Sequence, residues 1–330
     1  MKKTQIIGID VSKAKLDVQV HSVHQHFIVE NDTLGFVKLL ETIFKTTKCK
    51  KQDLLICFEN TGKYSKMLSV FLHSKEILFV MVPALEIKKS LGITRGKNDK
   101  IDAHRIARYA YEKQDRLVPT VLPGEEIDKL RSLLSLREKL IKHRTAYKNG
   151  ITDLKDCYKE GETQIIKNIQ LRLINAVNDE ISIVEKEIAD IIKMDPLMDR
   201  NFKLITSVKG VGKIVGFYLI AFTDNFTSFI DARSFACFAG TAPFANSSGK
   251  VIGKSRVHTY ANKQIKALLN MAAMSAIQFK GEYREYYNKR LDLGKNKMSS
   301  LNIIRNKILF RVFAVVKRGT PYVDLYRFAA

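Results

Sequence analysis

No run of eighteen or more uncharged apolar residues occurs in the 330-residue chain, which excludes an apolar membrane-spanning helix of ordinary length. The opening MKKTQIIGIDVSK reaches Asp10 before an apolar core and a cleavage site can be completed, so no secretory signal is expected and the chain reads as cytoplasmic. Cysteine is scarce. Cys49, Cys57, Cys157 and Cys237 fall in no C-x-x-C pair, which leaves neither a zinc ribbon nor a disulfide framework, and each reads as a lone buried thiol of a reducing compartment. HSVHQH places His21, His24 and His26 close together, but a strand puts 24 and 26 on one face and 21 on the other, so they read as solvated surface histidines rather than a metal site.

Negative charge is also in short supply: 34 Asp and Glu stand against 56 Lys and Arg, a formal net charge of +22. The imbalance is concentrated at one end. From Lys250 to Ala330 there are 17 Lys and Arg and 4 Asp and Glu, a surplus of 13. Ordinary surfaces mix the two signs more evenly, so this end is expected to face a polyanion, with nucleic acid the natural one because neutralising phosphates releases counterions.

What is present divides the chain into three parts. QIIGIDV, KLDVQVHS and HFIVEND alternate in the strand manner and suggest an antiparallel meander. The helical LGFVKLLETIFKTT, the strand DLLICFEN, the amphipathic KYSKMLSVFLHSK and the strand ILFVMV follow, so residues 1–122 are expected to be α/β with a mixed sheet. Residues 123–195 are long, charged and strand-poor. Ile174, Val177, Ile181, Val184, Ile188 and Ile191 form a heptad seam that calls for a partner helix, either the preceding EEIDKLRSLLSLREKLIKHRTAYKNGITDLKD folded back as a hairpin or another subunit. Residues 196–330 read as a helical domain. Its Gly210-Val211-Gly212 turn resembles a helix-hairpin-helix and reads either as a plain interhelical turn or as a backbone approach to phosphate.

The few acids are placed oddly. Asp10 and Glu59 end two otherwise apolar strands, at the edge where α/β sheets place ligands, and acids there are costly unless water, a cation or a partner receives them. Asp99 and Asp102 lie three apart in NDKIDAHRIARYAYEK, on one face of an expected helix, where like charges repel by a few tenths of a kcal/mol. Their plain alternative is a helix amino terminus, which favours negative charge. Taken together, four carboxylates suit hard divalent cations, and a basic nucleic-acid binder with such a site reads as a metal-dependent nuclease or strand-transfer enzyme.

GIDVSKAKLDV, FENTG and KNDKIDAHRIA, in this order, resemble the Asp-Glu-Asp-Asp motifs of the DEDD-type insertion-sequence transposases, a family that includes the Piv-type DNA invertases. The resemblance implies an RNase H-like, RuvC-like amino-terminal domain with Asp10, Glu59, Asp99 and Asp102 as ligands of Mg²⁺ or Mn²⁺. SVKGVGKIVGFYLIA, FACFAGTAPFANSSGK and IKALLNMAAMSA continue it through the transposase domain, so the resemblance spans residues 5 to 280. It assigns a serine before glycine as the nucleophile that attacks DNA, which here is Ser248, with Ser247 as its neighbour. By itself NSSGK is an ordinary flexible turn. Further implications are a composite site built across subunits, a structured bridge RNA as guide, a homodimer pairing into a tetramer, and association with the nucleoid during activity. One departure is Ala261 in TYANKQIK, where family members often carry glycine.

Three other functions are weighed against this one. A hydrolytic junction resolvase would use the same carboxylates with Ser248 as bystander. An architectural nucleic-acid-binding protein would need neither. GIDVS also opens the actin-like ATPase fold of sugar kinases, but the Gly-rich G-T-G phosphate loops of that class do not follow.

Overall fold

The structure, a computed structural model, describes residues 5–90, 98–158, 161–248, 251–257 and 261–324; for 155, 156, 245–248 and 251–256 it describes the backbone alone. The chain divides into two compact units, Met1–Leu122 and Pro123–Ala330.

The first unit begins with three strands, β1 (Gln5–Val11), β2 (Lys15–Val20) and β3 (Gln25–Glu30). There follow α1 (Thr33–Thr47), β4 (Leu54–Glu59), α2 (Lys63–Ser74), β5 (Phe79–Val82), α3 (Ala84–Ser90) and α4 (Asp99–Lys113). The strands form one sheet in the order β3-β2-β1-β4-β5. β1, β2 and β3 pair antiparallel, as their short turns require, whereas β4 and β5, reached through helices, pair parallel to β1 and to each other. The expected mixed sheet is what forms.

Period-two alternation assigns the two faces of this sheet. Ile7, Ile9 and Val11 join Phe36, Leu39 and Ile43 of α1 and Leu68 and Leu72 of α2 in one core. Ile6, Leu55, Cys57, Val80 and Val82 join Ile87 of α3 and Ile106, Tyr109 and Ala110 of α4 in the other. Of the four cysteines, all unpaired, only Cys57 is buried; Cys49 and Cys237 are half-buried and Cys157 is exposed near the end of a long helix. The expectation of four buried thiols therefore holds for one of them.

The second unit opens with two long helices, α5 (Glu125–Cys157) and α6 (Gln164–Met194), which lie side by side in opposite directions. Lys129 meets Glu187 at 2.6 Å, Arg137 meets Glu185 at 2.8 Å and Arg144 meets Asn178 at 3.0 Å, a register that only antiparallel helices give. Ile174, Ile181, Val184, Ile188 and Ile191 are buried, so of the two partners the heptad seam allows, the structure supplies α5.

The remaining elements are α7 (Pro196–Thr206), α8 (Lys213–Thr223), α9 (Ala232–Phe238), β6 (Pro243–Ser248), β7 (Val251–Val257), α10 (Lys263–Ala276), α11 (Glu282–Asp292) and α12 (Lys297–Arg318). α8 is apolar all round, from Val215 to Ala221, because it runs through the middle of this unit and has no solvent face. At Gly210, with φ +88°, a Cβ would stand 2.4 Å from the carbonyl oxygen of Ala272. The first glycine of the interhelical turn is therefore required by packing against α10. A Cβ at Gly212 would meet nothing within 4 Å, so that side of the turn is open.

Helix and strand backbones approach closely at Gly8. A Cβ there would lie 2.2 Å from the amide nitrogen of Ala107 and 2.5 Å from the carbonyl oxygen of Ala103. These are backbone atoms of α4 and cannot rotate aside. Gly8→Ala should accordingly destabilise the protein by more than about 2 kcal/mol, read as a lowered urea midpoint, whereas a neutral outcome would show that α4 does not rest on β1.

Candidate active site

Because Ile6, Gly8 and Asp10 alternate on one face of β1, and Leu55, Cys57 and Glu59 on the same face of β4, both strand-end acids emerge on the α4 side of the sheet. Ile9 pairs with Phe58 across the parallel ladder, so Asp10 and Glu59 leave adjacent strand ends at one level. α4 packs Ile106, Tyr109 and Ala110 beside Ile6 and its Ala103–Ala107 turn on Gly8, which carries its first turn toward Asp10. That turn holds Asp99 and Asp102. The cap itself is Asn98, whose side chain accepts the Lys100 amide at 3.1 Å, so the helix end does not need either aspartate for capping.

The electrostatics register this gathering. Burial, then the charges of Asp102, Asp99, Glu59 and Asp17 in that order, push the Asp10 carboxyl up to about 6. Each of the four sequence-chosen acids is thus part of one negative field. Two cations answer it: Lys15 Nζ lies 2.9 Å from Asp99 and 3.0 Å from Asp17, and Arg105 donates to Asp102 at 2.8 Å. Both contacts to Lys15 push its pKa up, so it stays an ammonium.

Oxygen donors of this kind, crowded enough to hinder ionisation of one member, fit a hard divalent cation. As the side chains stand, no three His, Cys, Asp or Glu among the described residues gather tightly enough to hold an ion; Asp99 and Asp102 are engaged by Lys15 and Arg105.

The two units have counterparts among known proteins. Residues 7–158 match a family model of the DEDD IS110 type described as Transposase, and residues 202–288 match the Transposase IS116/IS110/IS902 family. The chain belongs to this transposase family. Over 335 residues, 98% of each chain, it is 29% identical to the pilin gene-inverting protein of Moraxella lacunata, and equally so to that of Moraxella bovis. It is also 27% identical over 149 residues to an uncharacterized 43.6 kDa protein of insertion element IS110 from Streptomyces coelicolor, which spans 45% of this chain and 36% of that protein. Among the described residues no helix is long and apolar enough to cross a membrane.

The transposase matches enclose the candidate site residues, Asp10, Glu59, Asp99 and Asp102 in the first and Ser247 and Ser248 in the second. Ser248 ends β6, its backbone opposite Val251, with Ser247 opposite Ile252. Side chains there, and residues Lys97, Gly249 and Lys250, lie outside the described residues.

Asp17 and Lys15 escaped the sequence reading. Asp17 faces Asp10 across the antiparallel ladder, is 3% exposed, and is held by Lys15 and by His26 Nε2 at 3.0 Å. His26 therefore belongs to the carboxylate cluster and is not solvated, while His21 stacks on Tyr111 with ring centroids 4.2 Å apart. The signal was available in KLDVQV, where Lys15, Asp17 and Gln19 share the face opposite Leu16, Val18 and Val20. A polar face on an interior strand implies partners above it. Arg105, in the same motif as Asp99 and Asp102, is committed to Asp102.

Ionising Asp10 is harder in the folded protein than in the unfolded chain. Stability should fall as pH rises from about 4 to about 6 and stay lower above that. Without divalent ions, Asp10→Asn should be more stable than wild type at pH 7.5 by about 1–2 kcal/mol, after discounting its partial exposure. At pH 3.5 it should show no gain. Chemical melts in EDTA at both values check this, and an equal offset at the two would contradict the field described.

Proposed function

We propose that this transposase cuts and rejoins DNA to mobilise its insertion sequence, using Asp10, Glu59, Asp99 and Asp102 together with Ser248. The observation that carries the reading is the gathering of Asp10 and Glu59 at adjacent strand ends with the first turn of α4, which holds Asp99 and Asp102, a gathering that also raises the Asp10 carboxyl. Mg²⁺ or Mn²⁺ held by these oxygens would supply Lewis-acid stabilisation of the charge that develops on a transferring phosphate.

The chain's own part is to present those oxygens, to hold them apart from one another with Lys15 and Arg105, and to deliver a nucleophile. Ser248 Oγ would form a bond to phosphorus as the bond from phosphorus to a sugar oxygen breaks. The serine proton is lost and the sugar leaves as a hydroxyl. The phosphoserine ester keeps the bond energy, so the reverse attack by a sugar hydroxyl rejoins a strand and frees the serine.

The resemblance to the DEDD transposases extends the proposal. The first unit would be the RuvC-like, RNase H-like catalytic domain, residues 123–195 a coiled-coil linker, and 196–330 the transposase domain with its helix-hairpin-helix-like turn. The surplus of 13 positive charges from Lys250 onward suits phosphate backbones, and in this reading both DNA and a structured bridge RNA use it. Dimers would pair into a tetramer, and the protein would work on the bacterial nucleoid.

Ser248→Ala should abolish the covalent protein–DNA adduct and reduce recombination more than about a thousandfold, measured on a plasmid carrying the element with its own flanks. Alanine at any of the four acids should stop cleavage as well. Full recombination by Ser248→Ala would end the phosphoserine mechanism, and if the four acids remained essential it would leave a hydrolytic site. Full recombination by all four alanine variants would end the metal-site reading.

A further inference from the structure

β6 and β7 pair with each other as a two-stranded sheet of their own, and two such strands are marginal without outside support. The support is at the root. Thr241, two residues before β6, is fully buried, and its carbonyl oxygen accepts the side-chain amides of both Asn302 (2.7 Å) and Asn306 (2.9 Å) on α12. Its hydroxyl donates to Asn306 Oδ1 at 2.6 Å. Both lone-pair directions of that carbonyl are thereby filled by side chains of one helix.

The segment before α10 is tied to the segment before β6. The Asn262 amide donates to the Phe238 carbonyl at 2.8 Å, and a Cβ at Gly240, φ +65°, would stand 2.4 Å from the Cβ of Ala261. Ala261, the departure noted in the sequence, thus closes against a glycine on the opposite side of the root.

Behind the clamp is a guanidinium. Arg305, 4% exposed, donates to Asn302 Oδ1 at 3.4 Å and to Asn270 Oδ1 of α10, and its Nε has no hydrogen-bond partner. Salt bridges among the described residues do not include it. A buried charge answered only by amide dipoles is weak evidence for stability, whereas orienting the Asn302 amide toward Thr241 is a use that its geometry performs.

From this we infer that Asn302, Asn306 and Thr241, backed by Arg305, are positioning residues that fix the direction in which the β6–β7 hairpin presents its serine end. The inference rests on the reading of Ser248 as nucleophile. Leverage makes the root matter: Ser248 lies seven residues beyond Thr241, roughly 20 Å along an extended strand. A swing of about 10° at the root would move it by about 3 Å, against the roughly 0.5 Å tolerance of a productive geometry.

The test compares wild type, the double variant Asn302→Ala/Asn306→Ala, Thr241→Ser, and Ser248→Ala in the full chain. Thermal melts verify that each is folded. Amide hydrogen exchange over residues 243–257 should be at least about tenfold faster in the double variant and unchanged in Thr241→Ser, which keeps both the carbonyl and the hydroxyl. Recombination at saturating plasmid should fall at least about tenfold in the double variant with half-saturation unchanged, because binding charges are untouched. Wild-type exchange in the double variant would overturn the inference, whether or not Ser248 proves to be the nucleophile. Faster exchange with wild-type turnover would also overturn it, provided Ser248→Ala is inactive. A fully active Ser248→Ala would instead remove the nucleophile reading while the exchange result still decides what holds the hairpin. Should the double variant fail to fold, Thr241→Val, which removes the hydroxyl alone, is read by the same exchange criterion.

Discussion

The backbone of a helix lies on the backbone of a strand at Gly8, and the first unit is arranged around that contact. Any side chain at this position would occupy the space of the Ala103 carbonyl and the Ala107 amide. Ala103, Ala107 and Ala110 are all fully buried, so the helix offers its smallest residues to the sheet where it comes nearest. Close approach matters here for a reason beyond packing. α4 delivers two carboxylates to a pair of adjacent strand ends that carry one each, and a helix held further out by larger side chains would deliver them less closely.

Bringing like charges together is unfavourable, and the structure shows how the cost is distributed. One part remains as the difficulty of ionising Asp10. Another is offset by Lys15, which bridges β2 and α4 through Asp17 and Asp99, and by Arg105, which returns to Asp102 one turn earlier on its own helix. Asp17 is the deepest acid of the group, and its burial is tolerable because an ammonium and an imidazole both reach it. The cluster is thus only partly neutralised, and the sites facing the strand ends keep negative potential. In the proposed reading, such potential would draw divalent cations and the basic carboxyl-terminal end would draw the phosphates on which they act.

The second unit solves a different problem, since its candidate nucleophile is on a hairpin outside any large sheet. Its core is built from α8 outward, with aromatic contacts such as Phe229 against Phe235 and Phe226 against Phe313 tying the helices that flank the hairpin root. Among the polar groups that enter that core, Asn302 and Asn306 meet Thr241 at the hairpin root. Rigid helices hold the base, and the strands extend from it.

Much of this was legible in the residues themselves. Alternation in QIIGIDV and DLLICFEN determines which face Asp10 and Glu59 share, and the heptad seam of α6 determines that a helix must cover it, because both follow from backbone periods that tertiary context does not alter. The order of motifs is enough for the transposase family. Tertiary structure decided the rest. It selected α5 as the partner of the seam, turned Arg105 to Asp102, placed Asp17, Lys15 and His26 in the cluster, and made Gly210 a packing residue. These depend on which surfaces meet across tens of residues, and period and propensity carry no information about distances between elements. Sequence determined which chemical groups the protein has and on which faces they lie, whereas the fold decided which of them touch.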